Sequence, residues 1–255
     1  MSYFKFENKN IFYNEVGEGT PLLLLHGNTA SSNMFNLIVD KYKNNYKVIL
    51  IDFLGHGQSD RLDEFPIDLW FYEAKQVIEF LKQKDYSKVY LIGSSGGALV
   101  AINVALEASE RVSKVIADSF EGECALTEFT STIKEDRDNS KKDINTKMFY
   151  EYMHGNKWQQ VVDNDTQAII KHSQIIKDFF HRDLNELKAK VLFTGSLEDE
   201  FVSFVSPTYF QETYTRMIEK IGHGKIYLFQ QGGHPALLSN LDEFVEISMR
   251  FFKSD

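Results

Sequence analysis

A serine framed by glycines is the residue of this chain best suited to act as a nucleophile. Ser95 stands inside the stretch Gly93–Gly97, after the apolar run Val89–Ile92 and before a helical pattern that begins near Gly96. A tight turn between a strand and a helix holds such a side chain in a strained, accessible position, and glycines remove Cβ atoms that would clash there. We predict that Ser95 is a nucleophile and that Ser94, in the variable position of the motif, at most lines the site.

A serine hydroxyl needs a base to remove its proton, and His234 is the best candidate among the seven histidines. It follows two glycines at the end of the last predicted strand, and Pro235 suits the first turn of the helix that comes next. His223 precedes the last strand and is expected on a surface loop. The histidines of the middle region are expected to pack or to face solvent: His154, His172 and His181.

These residues need elements to position them, and the chain alternates short apolar runs with longer helical stretches. The runs are continuous, which is typical of strands buried on both faces of a parallel sheet. They are Pro21–Leu25, Val48–Ile51, Val89–Ile92, Val115–Ala117, Val191–Phe193 and Ile226–Phe229. The helix candidates are Met34–Tyr42, Leu69–Gln83, Gly96–Ala108, Tyr209–Ile221 and Pro235–Phe252. The pattern predicts an α/β sheet layered between helices, with an antiparallel hairpin of Tyr3–Phe6 and Ile11–Glu15 at its edge.

Residues 120–187 break this alternation, because they separate two strands by more than one crossover helix requires. We expect a helical cap, or lid, inserted between residues 1–119 and 188–255, which form the core domain. It leaves from the carboxyl end of a strand, where open α/β sheets bind ligands. Its aromatic residues Phe149, Tyr152 and Trp158 are candidates for substrate binding. They are at least as well explained as core between lid helices.

Four motifs in order resemble the α/β-hydrolase superfamily, in its lid-bearing branch with a serine nucleophile. Leu22–Asn28 resembles the segment after the family's third strand, and Asp52–Asp60 resembles its D-x-x-G-x-G-x-S loop. The nucleophile elbow and the Gly233-His234 pair follow in the family's order. The resemblance runs from about Pro21 to the last helix and leaves the insertion unmatched. It implies the α/β-hydrolase fold, a mostly parallel sheet between helices with a helical lid.

The resemblance also implies roles for single residues. The backbone N–H groups of Asn28 and Gly96 would form an oxyanion hole, and Gly96 would lie at a helix N-terminus that favours negative charge. Such donors are each worth on the order of 3 kcal/mol in comparable sites. His26, Asp52 and His56 are expected to support their loops and not to react.

The triad acid would follow the strand Val191–Phe193, and Asp199 corresponds best to the family's acid. One residue more than in the commonest form separates it from Gly195, so Glu198 remains an alternative. Asp118 is a third candidate, because some family members take their acid from that earlier strand. Ser95, Asp199 and His234 would then occur in the family's chain order.

Composition restricts the partners. The chain has 255 residues, 43% of them hydrophobic, and a formal net charge of −9 without a long basic run, so we expect no nucleic-acid partner. No metal-ligand spacing, P-loop or dinucleotide fingerprint occurs, and we expect no metal and no cofactor.

Cys124 is the single cysteine and is expected to be buried. The apolar runs are too short to span a membrane, and we predict a cytoplasmic protein with a small-molecule substrate. The oligomeric state stays open.

The function predicted from these residues is hydrolysis of an ester or related acyl bond of a small to medium apolar substrate through an acyl-serine intermediate. The segment His26–Asn28 also resembles haloalkane dehalogenases, but those enzymes and the related epoxide hydrolases use an aspartate at the elbow, where this chain has Ser95. Carbon–carbon bond hydrolases and cofactor-free haloperoxidases share the serine triad and remain alternatives. A ligand-sensing binding protein that retains the triad is another.

Overall fold

An eight-stranded sheet runs through the computed structural model, which describes residues 2–254. Its strands are β1 (Ser2–Phe6), β2 (Lys9–Val16), β3 (Thr20–Leu25), β4 (Tyr46–Ile51), β5 (Val89–Ser94), β6 (Val112–Asp118), β7 (Lys190–Ser196) and β8 (Lys225–Phe229). Their order across the sheet is β1-β2-β4-β3-β5-β6-β7-β8. The hairpin β1–β2 is antiparallel and lies at one edge, whereas β4, β3 and β5 to β8 pair in parallel. The predicted fold class, the six core strands and the edge hairpin are confirmed.

Nine helices accompany the sheet within residues 2–254. They are α1 (Asn36–Tyr42), α2 (Leu69–Gln83), α3 (Gly96–Glu107), α4 (Thr127–Ser140), α5 (Ile144–His154), α6 (Trp158–Ile175), α7 (Tyr209–Ile221), α8 (Ala236–Ser239) and α9 (Leu241–Lys253). Helices α2 and α7 have the predicted bounds, and α1 is preceded by a 3₁₀ turn at Ser32–Phe35.

The prediction of one continuous helix over Pro235–Phe252 is wrong, because the helix breaks at Asn240. This residue adopts φ −125° and ψ 40° and separates α8 from α9. Its side-chain amide donates a hydrogen bond to the carbonyl of Gln231 at 2.9 Å, and its own carbonyl accepts from the Phe244 N–H at 2.8 Å. A tertiary contact therefore fixes the break.

The core lies on both faces of the sheet. In β3, Leu23 and Leu25 pack toward the layer that contains α2, α3 and α7, while Leu22 and Leu24 pack toward α1, α8 and α9. All four leucines are fully buried. A fully buried leucine contributes about 1.5–3 kcal/mol relative to an exposed one. Burial on both faces therefore explains why the strand is continuously apolar.

Parallel pairing brings the carboxyl ends of β3 and β5 to β8 to one edge of the sheet. The loops that follow these strands carry the residues singled out in the sequence, although the residues lie far apart along the chain. Helices α4, α5 and α6 are inserted between β6 and β7, and α6 also packs against α2. The division of the chain into a core and a separate lid at residues 120–187 stays a prediction.

Within residues 2–254, no helix combines the length and the hydropathy that crossing a bilayer requires.

Cys124 is exposed, so the expectation that it is buried is wrong. It lies between β6 and α4 and pairs through an isolated bridge with Asp178, away from the sheet. Partial burial of the thiol, together with its hydrogen bond to Asp178 Oδ1 at 3.0 Å, raises the pKa of Cys124 to about 11. The thiol is therefore accessible but protonated near neutral pH.

We predict that native Cys124 reacts slowly with iodoacetamide at pH 8. With a pKa of about 11, roughly one thiol in a thousand is ionised, against about a quarter for an unperturbed cysteine. The native protein should react on the order of 100-fold more slowly than the protein unfolded in urea, and Asp178→Asn should react faster than wild type. The measurement is alkylation followed by intact mass, and equal rates for native and unfolded protein would contradict the assignment.

Candidate active site

Ser95 lies on a sharp turn between β5 and α3. Its backbone has φ 56° and ψ −125°, in the region that residues with a side chain rarely occupy. The Ser95 N–H donates to the carbonyl of Asp118 at 2.7 Å, and the Ser95 carbonyl accepts from the Ala98 N–H at 2.8 Å. These backbone hydrogen bonds hold the strained turn against the end of β6 and the start of α3.

Gly97 allows α3 to approach the backbone of β3. A Cβ at this position would lie closer to the carbonyl oxygens of Leu25 and His26 than van der Waals contact allows. At the other end of the turn, a Cβ on Gly93 would collide with the Gly97 carbonyl. The glycines therefore let strand and helix pack closely on both sides of Ser95.

The structure brings Ser95, His234 and Asp199 into a hydrogen-bonded chain. His234 Nε2 lies 2.9 Å from Ser95 Oγ, and His234 Nδ1 lies 2.8 Å from Asp199 Oδ2. A carboxylate only accepts hydrogen bonds, which assigns the proton to Nδ1 and leaves Nε2 free to accept the serine proton. Asp199 is fully buried and accepts a second hydrogen bond from the Phe201 N–H at 3.0 Å.

The two other acid candidates have different partners. Glu198 accepts the Gly232 N–H at 3.2 Å. Asp118 accepts the Thr194 hydroxyl at 2.7 Å and the Leu237 N–H at 3.0 Å. Burial raises the pKa of Asp118 to about 6, although these hydrogen bonds oppose the rise. Of the three acids, Asp199 is the one hydrogen-bonded to the His234 ring.

The loop that carries His234 is held by residues that the sequence reasoning missed. Glu200 Oε2 accepts the His234 N–H at 2.9 Å, and Ser119 Oγ accepts the Ala236 N–H at 2.9 Å. Glu198, on the other side of Asp199, binds the same loop. The run Glu198-Asp199-Glu200 after β7 is the sequence feature that could have indicated these contacts. Asp199 in the middle binds the imidazole, and the two glutamates on either side bind the loop that carries it.

Asn28 and Gly96, the predicted oxyanion-hole residues, lie next to each other at the nucleophile. Both line the cavity at Ser95, and a Cβ on Gly96 would collide with Asn28 Oδ1. Gly96 is the first residue of α3, where backbone N–H groups have no partner within the helix. The side chain of Asn28 is bound by Trp70 and by Asp165, neither of which the sequence analysis selected.

Two of the three residues expected to support loops do so through hydrogen bonds. His26 Nε2 accepts the Phe53 N–H at 3.1 Å, and Asp52 accepts the N–H groups of Ser32 and Gln58, each at 2.7 Å. His56 is buried, and neither of its ring nitrogens has a hydrogen-bond partner among residues 2–254.

His56 therefore supports its loop by packing, with its ring 5.0 Å from that of His26 and 4.9 Å from that of Phe65. Burial is the main cause that lowers the pKa of His56 well below its usual value, so the ring is neutral.

A cavity of about 460 Å³ opens at Ser95 between the sheet edge and the inserted helices. Ser94 and Phe149 line it, as the sequence analysis proposed. Tyr152 and Trp158 are not among its lining residues, which corrects their expected place. Tyr152 is 57% exposed and its hydroxyl accepts from the Asn36 amide at 2.6 Å, whereas Trp158 stacks on Tyr150 with ring centres 5.5 Å apart. Tyr152 therefore contacts α1, whereas Trp158 packs between the inserted helices α5 and α6.

The wall of the cavity is largely apolar, with a few polar groups. Its apolar members include Leu99, Phe120, Phe129, Ile133, Ile169, Phe201, Phe210 and Leu238. Arg137 and Glu121 add ionisable groups. Burial raises the pKa of Glu121 to about 8, although a hydrogen bond from the Leu126 N–H opposes the rise, so this carboxyl is mostly protonated at neutral pH. In the part of the chain that the structure describes, no group of three or more His, Cys, Asp or Glu side chains is arranged to hold a metal ion.

The chain is similar to known hydrolases. The family model described as alpha/beta hydrolase fold matches residues 20–151, which is more than half of the chain. The chain is 26% identical over 272 aligned residues to 2-hydroxy-6-oxo-6-phenylhexa-2,4-dienoate hydrolase of Comamonas testosteroni, covering 95% of this chain and 91% of that protein.

Two solved structures share the fold at low sequence identity. A meta-cleavage product hydrolase from Pseudomonas fluorescens IP01 is 20% identical with a TM-score of 0.76, covering 99% of this chain and 97% of that one. An esterase from Exiguobacterium antarcticum is also 20% identical, with a TM-score of 0.74 and 96% of each chain covered.

We predict that Gly97→Ala destabilises the protein by about 3 kcal/mol, because the added methyl group forces α3 away from β3. Gly222→Ala is the control: a Cβ there meets open space, and the cost is limited to the left-handed backbone, with φ +81° and ψ −2°, at about 1 kcal/mol. Urea unfolding of both variants measures the two changes. A loss at Gly97 no larger than that at Gly222 would contradict the close packing described above.

Proposed function

Because the chain belongs to the alpha/beta hydrolase fold family and is an enzyme of that family, we propose that it is a serine hydrolase that cleaves an ester or related acyl bond. The observation that carries the proposal is the hydrogen-bonded chain from Ser95 through His234 to Asp199. A buried carboxylate, an imidazole and a hydroxyl in this order are the arrangement that activates serine in acyl transfer.

In the proposed acylation step, Ser95 Oγ attacks the carbonyl carbon and His234 Nε2 takes the hydroxyl proton. Asp199 stabilises the imidazolium that forms. The negative charge that develops on the carbonyl oxygen is stabilised by the backbone N–H groups of Asn28 and Gly96. The carbon–oxygen bond to the leaving group then breaks, and the leaving group departs with the proton held by His234.

Deacylation repeats the sequence with water. The imidazole takes a proton from water, the hydroxide attacks the acyl-Ser95 carbonyl, and the proton returns to Ser95 Oγ as the carboxylic acid leaves. The same two N–H groups stabilise this second oxyanion. The cycle consumes one water and needs no cofactor.

The cavity supports a substrate of small to medium size that is mostly apolar. About 460 Å³ lies in the range of sites for small molecules. At neutral pH the protonated Glu121 adds a hydrogen-bond donor to the wall without adding charge. Since the chain has one cysteine and so no intrachain disulfide, we keep the cytoplasm as the proposed compartment.

A carbon–carbon bond hydrolase is the second candidate, because the curated relative aligned over 95% of this chain is named for a dienoate substrate. The serine, histidine and acid geometry suits both reactions. Comparison of kcat/KM for p-nitrophenyl acetate, longer p-nitrophenyl esters and a 2-hydroxy-6-oxo-dienoate decides between them. A preference of 100-fold or more for the dienoate, about 2.7 kcal/mol in transition-state binding, would replace the ester assignment.

We predict that Ser95→Ala lowers kcat by about 10⁴-fold or more, because it removes the attacking oxygen. Ser94→Ala is the matched control. Its hydroxyl is buried next to the nucleophile, with a single long hydrogen bond of 3.5 Å to Asp118. Ester turnover and covalent labelling by a fluorophosphonate are the measurements, with circular dichroism as the check on folding.

Labelling should add one equivalent to wild type and to Ser94→Ala and none to Ser95→Ala. Retained turnover in Ser95→Ala would reject the proposed nucleophile. Stoichiometric labelling of wild type without turnover on any substrate of the ester and dienoate panel would favour a ligand-sensing protein.

We predict a rise in KM for an apolar ester at alkaline pH. The pKa of Glu121 is raised to about 8, so its carboxyl is neutral below that pH and charged above it, and a charge in the cavity wall opposes apolar binding. Between pH 7 and pH 9, KM should rise by roughly threefold to tenfold in wild type and stay flat in Glu121→Gln.

Glu123→Gln is the control for this measurement, because Glu123 pairs with Lys220 on the surface and should leave the wild-type profile unchanged. An alkaline rise that persists in Glu121→Gln would assign it to another group.

A further inference from the structure

The side-chain amide of Asn28 is bound at both ends. Trp70 Nε1–H donates to Asn28 Oδ1 at 3.2 Å, and Asn28 Nδ2 donates to Asp165 Oδ2 at 2.8 Å. An indole N–H only donates and a carboxylate only accepts, so a single orientation of the amide satisfies both partners. The side chain of a predicted oxyanion-hole residue is therefore fixed against rotation.

Asp165 is a fully buried acid on α6, one of the helices inserted between β6 and β7. Burial is the main cause that raises its pKa, and Arg137, Asn28 and the Thr29 N–H all oppose that rise by favouring the carboxylate. Arg137 Nη1 lies 3.4 Å from Asp165 Oδ1. A buried carboxylate needs partners that favour its charge. Two of the three partners here, Asn28 and Thr29, belong to the loop at the nucleophile.

The residue after Asn28 is also bound by the insertion. The Gly57 N–H donates to His154 Nδ1 at 3.1 Å, so Nε2 carries the ring proton and donates to the Thr29 carbonyl at 2.9 Å. His154 is the last residue of α5. Two inserted helices therefore hold residues 28–29: α6 binds the Asn28 side chain through Asp165, and α5 binds the Thr29 carbonyl through His154.

We propose that Asp165 is a positioning residue that keeps the Asn28 N–H aimed at the oxyanion, an inference that rests on the function proposed above. The carboxylate does not line the cavity and is not among the residues placed to contact substrate. It acts through Asn28, whose Oδ1 lies against Gly96, so that both donors of the oxyanion hole keep their relative positions. Formation of the oxyanion hole thus depends on the insertion being docked on the sheet.

The charge balance of this network fits the role. A bare carboxylate close to the developing oxyanion would oppose its charge, and Arg137 supplies the compensating cation. The guanidinium also belongs to the cavity wall, on the side of the inserted helices. Asp165 holds the loop through Asn28, and Arg137 balances its charge, so the pair adds no net negative charge beside the reacting carbonyl.

The test is a double-mutant cycle between Asn28 and Asp165. An asparagine in place of Asp165 has one acceptor oxygen, so its amide NH₂ must face either the Asn28 amide or the Arg137 guanidinium, which are both donors. Asn28→Ala keeps the backbone N–H and removes the anchored side chain. Asp163→Asn is the matched control, because Asp163 lies on the same helix with its side chain 59% exposed.

Asp165→Asn and Asn28→Ala should each lower kcat by about 10- to 100-fold with KM within about threefold of wild type, since misplacement of a donor weakens transition-state binding. The double variant should be no more than about threefold slower than Asn28→Ala alone. Inhibition by a boronic acid, whose tetrahedral adduct fills the oxyanion hole, should weaken in parallel with kcat. Asp163→Asn should match wild type in every measurement.

Four results would overturn the proposal: unchanged kcat in Asp165→Asn, a rise in KM alone, losses that multiply in the double variant, or wild-type boronic acid inhibition alongside a reduced kcat. If Asp165→Asn does not fold, Asn28→Ala decides by itself, and unchanged kcat there contradicts the inference. Failure of the proposed function is seen separately, as turnover or labelling that survives in Ser95→Ala.

Discussion

The imidazole of His234 is hydrogen-bonded to two side chains from two other loops, and the rest of the site depends on that position. Its Nε2 lies 2.9 Å from Ser95 Oγ and its Nδ1 lies 2.8 Å from Asp199 Oδ2. These residues follow β5, β7 and β8, which end at the same edge of the sheet. Parallel pairing thus brings Ser95 next to two residues that lie more than a hundred positions later in the chain.

Each of the three loops is held by its own neighbours. The carbonyl of Asp118 accepts the Ser95 N–H, the carboxylate of Glu200 accepts the His234 N–H, and the Phe201 N–H donates to Asp199. The ring of Phe201 also stands edge-on to the His234 ring, with centres 4.6 Å apart. Backbone strain at Ser95 persists because its N–H donates to the Asp118 carbonyl and its own carbonyl accepts from the Ala98 N–H, which fixes the turn on both sides. The inserted helices add a further constraint, since they bind the loop of Asn28.

The sequence predicts the sheet well because burial on both faces leaves a continuous apolar signal, as in Leu22–Leu25. It also predicts Ser95 and His234, whose neighbouring glycines and proline mark turns. The break at Asn240 could not be read from the local pattern, because a hydrogen bond to Gln231 causes it. Asp165 was missed for a related reason: an acid in an amphipathic helix has the same local pattern whether it faces water or a buried amide. The sequence left two positions open for Trp158, the cavity wall and the space between the inserted helices, because an apolar side chain suits both. The structure shows it stacked on Tyr150.

One-dimensional proton NMR in water shows whether the His234 ring donates its Nδ1 proton to Asp199. A ring N–H bound to a buried carboxylate is shifted far downfield and protected from exchange with solvent. We expect one such resonance in wild type that persists in Glu198→Gln and Asp118→Asn and is lost in Asp199→Asn and His234→Asn. A resonance that survives in Asp199→Asn and disappears in Glu198→Gln or Asp118→Asn would show that another acid holds the ring.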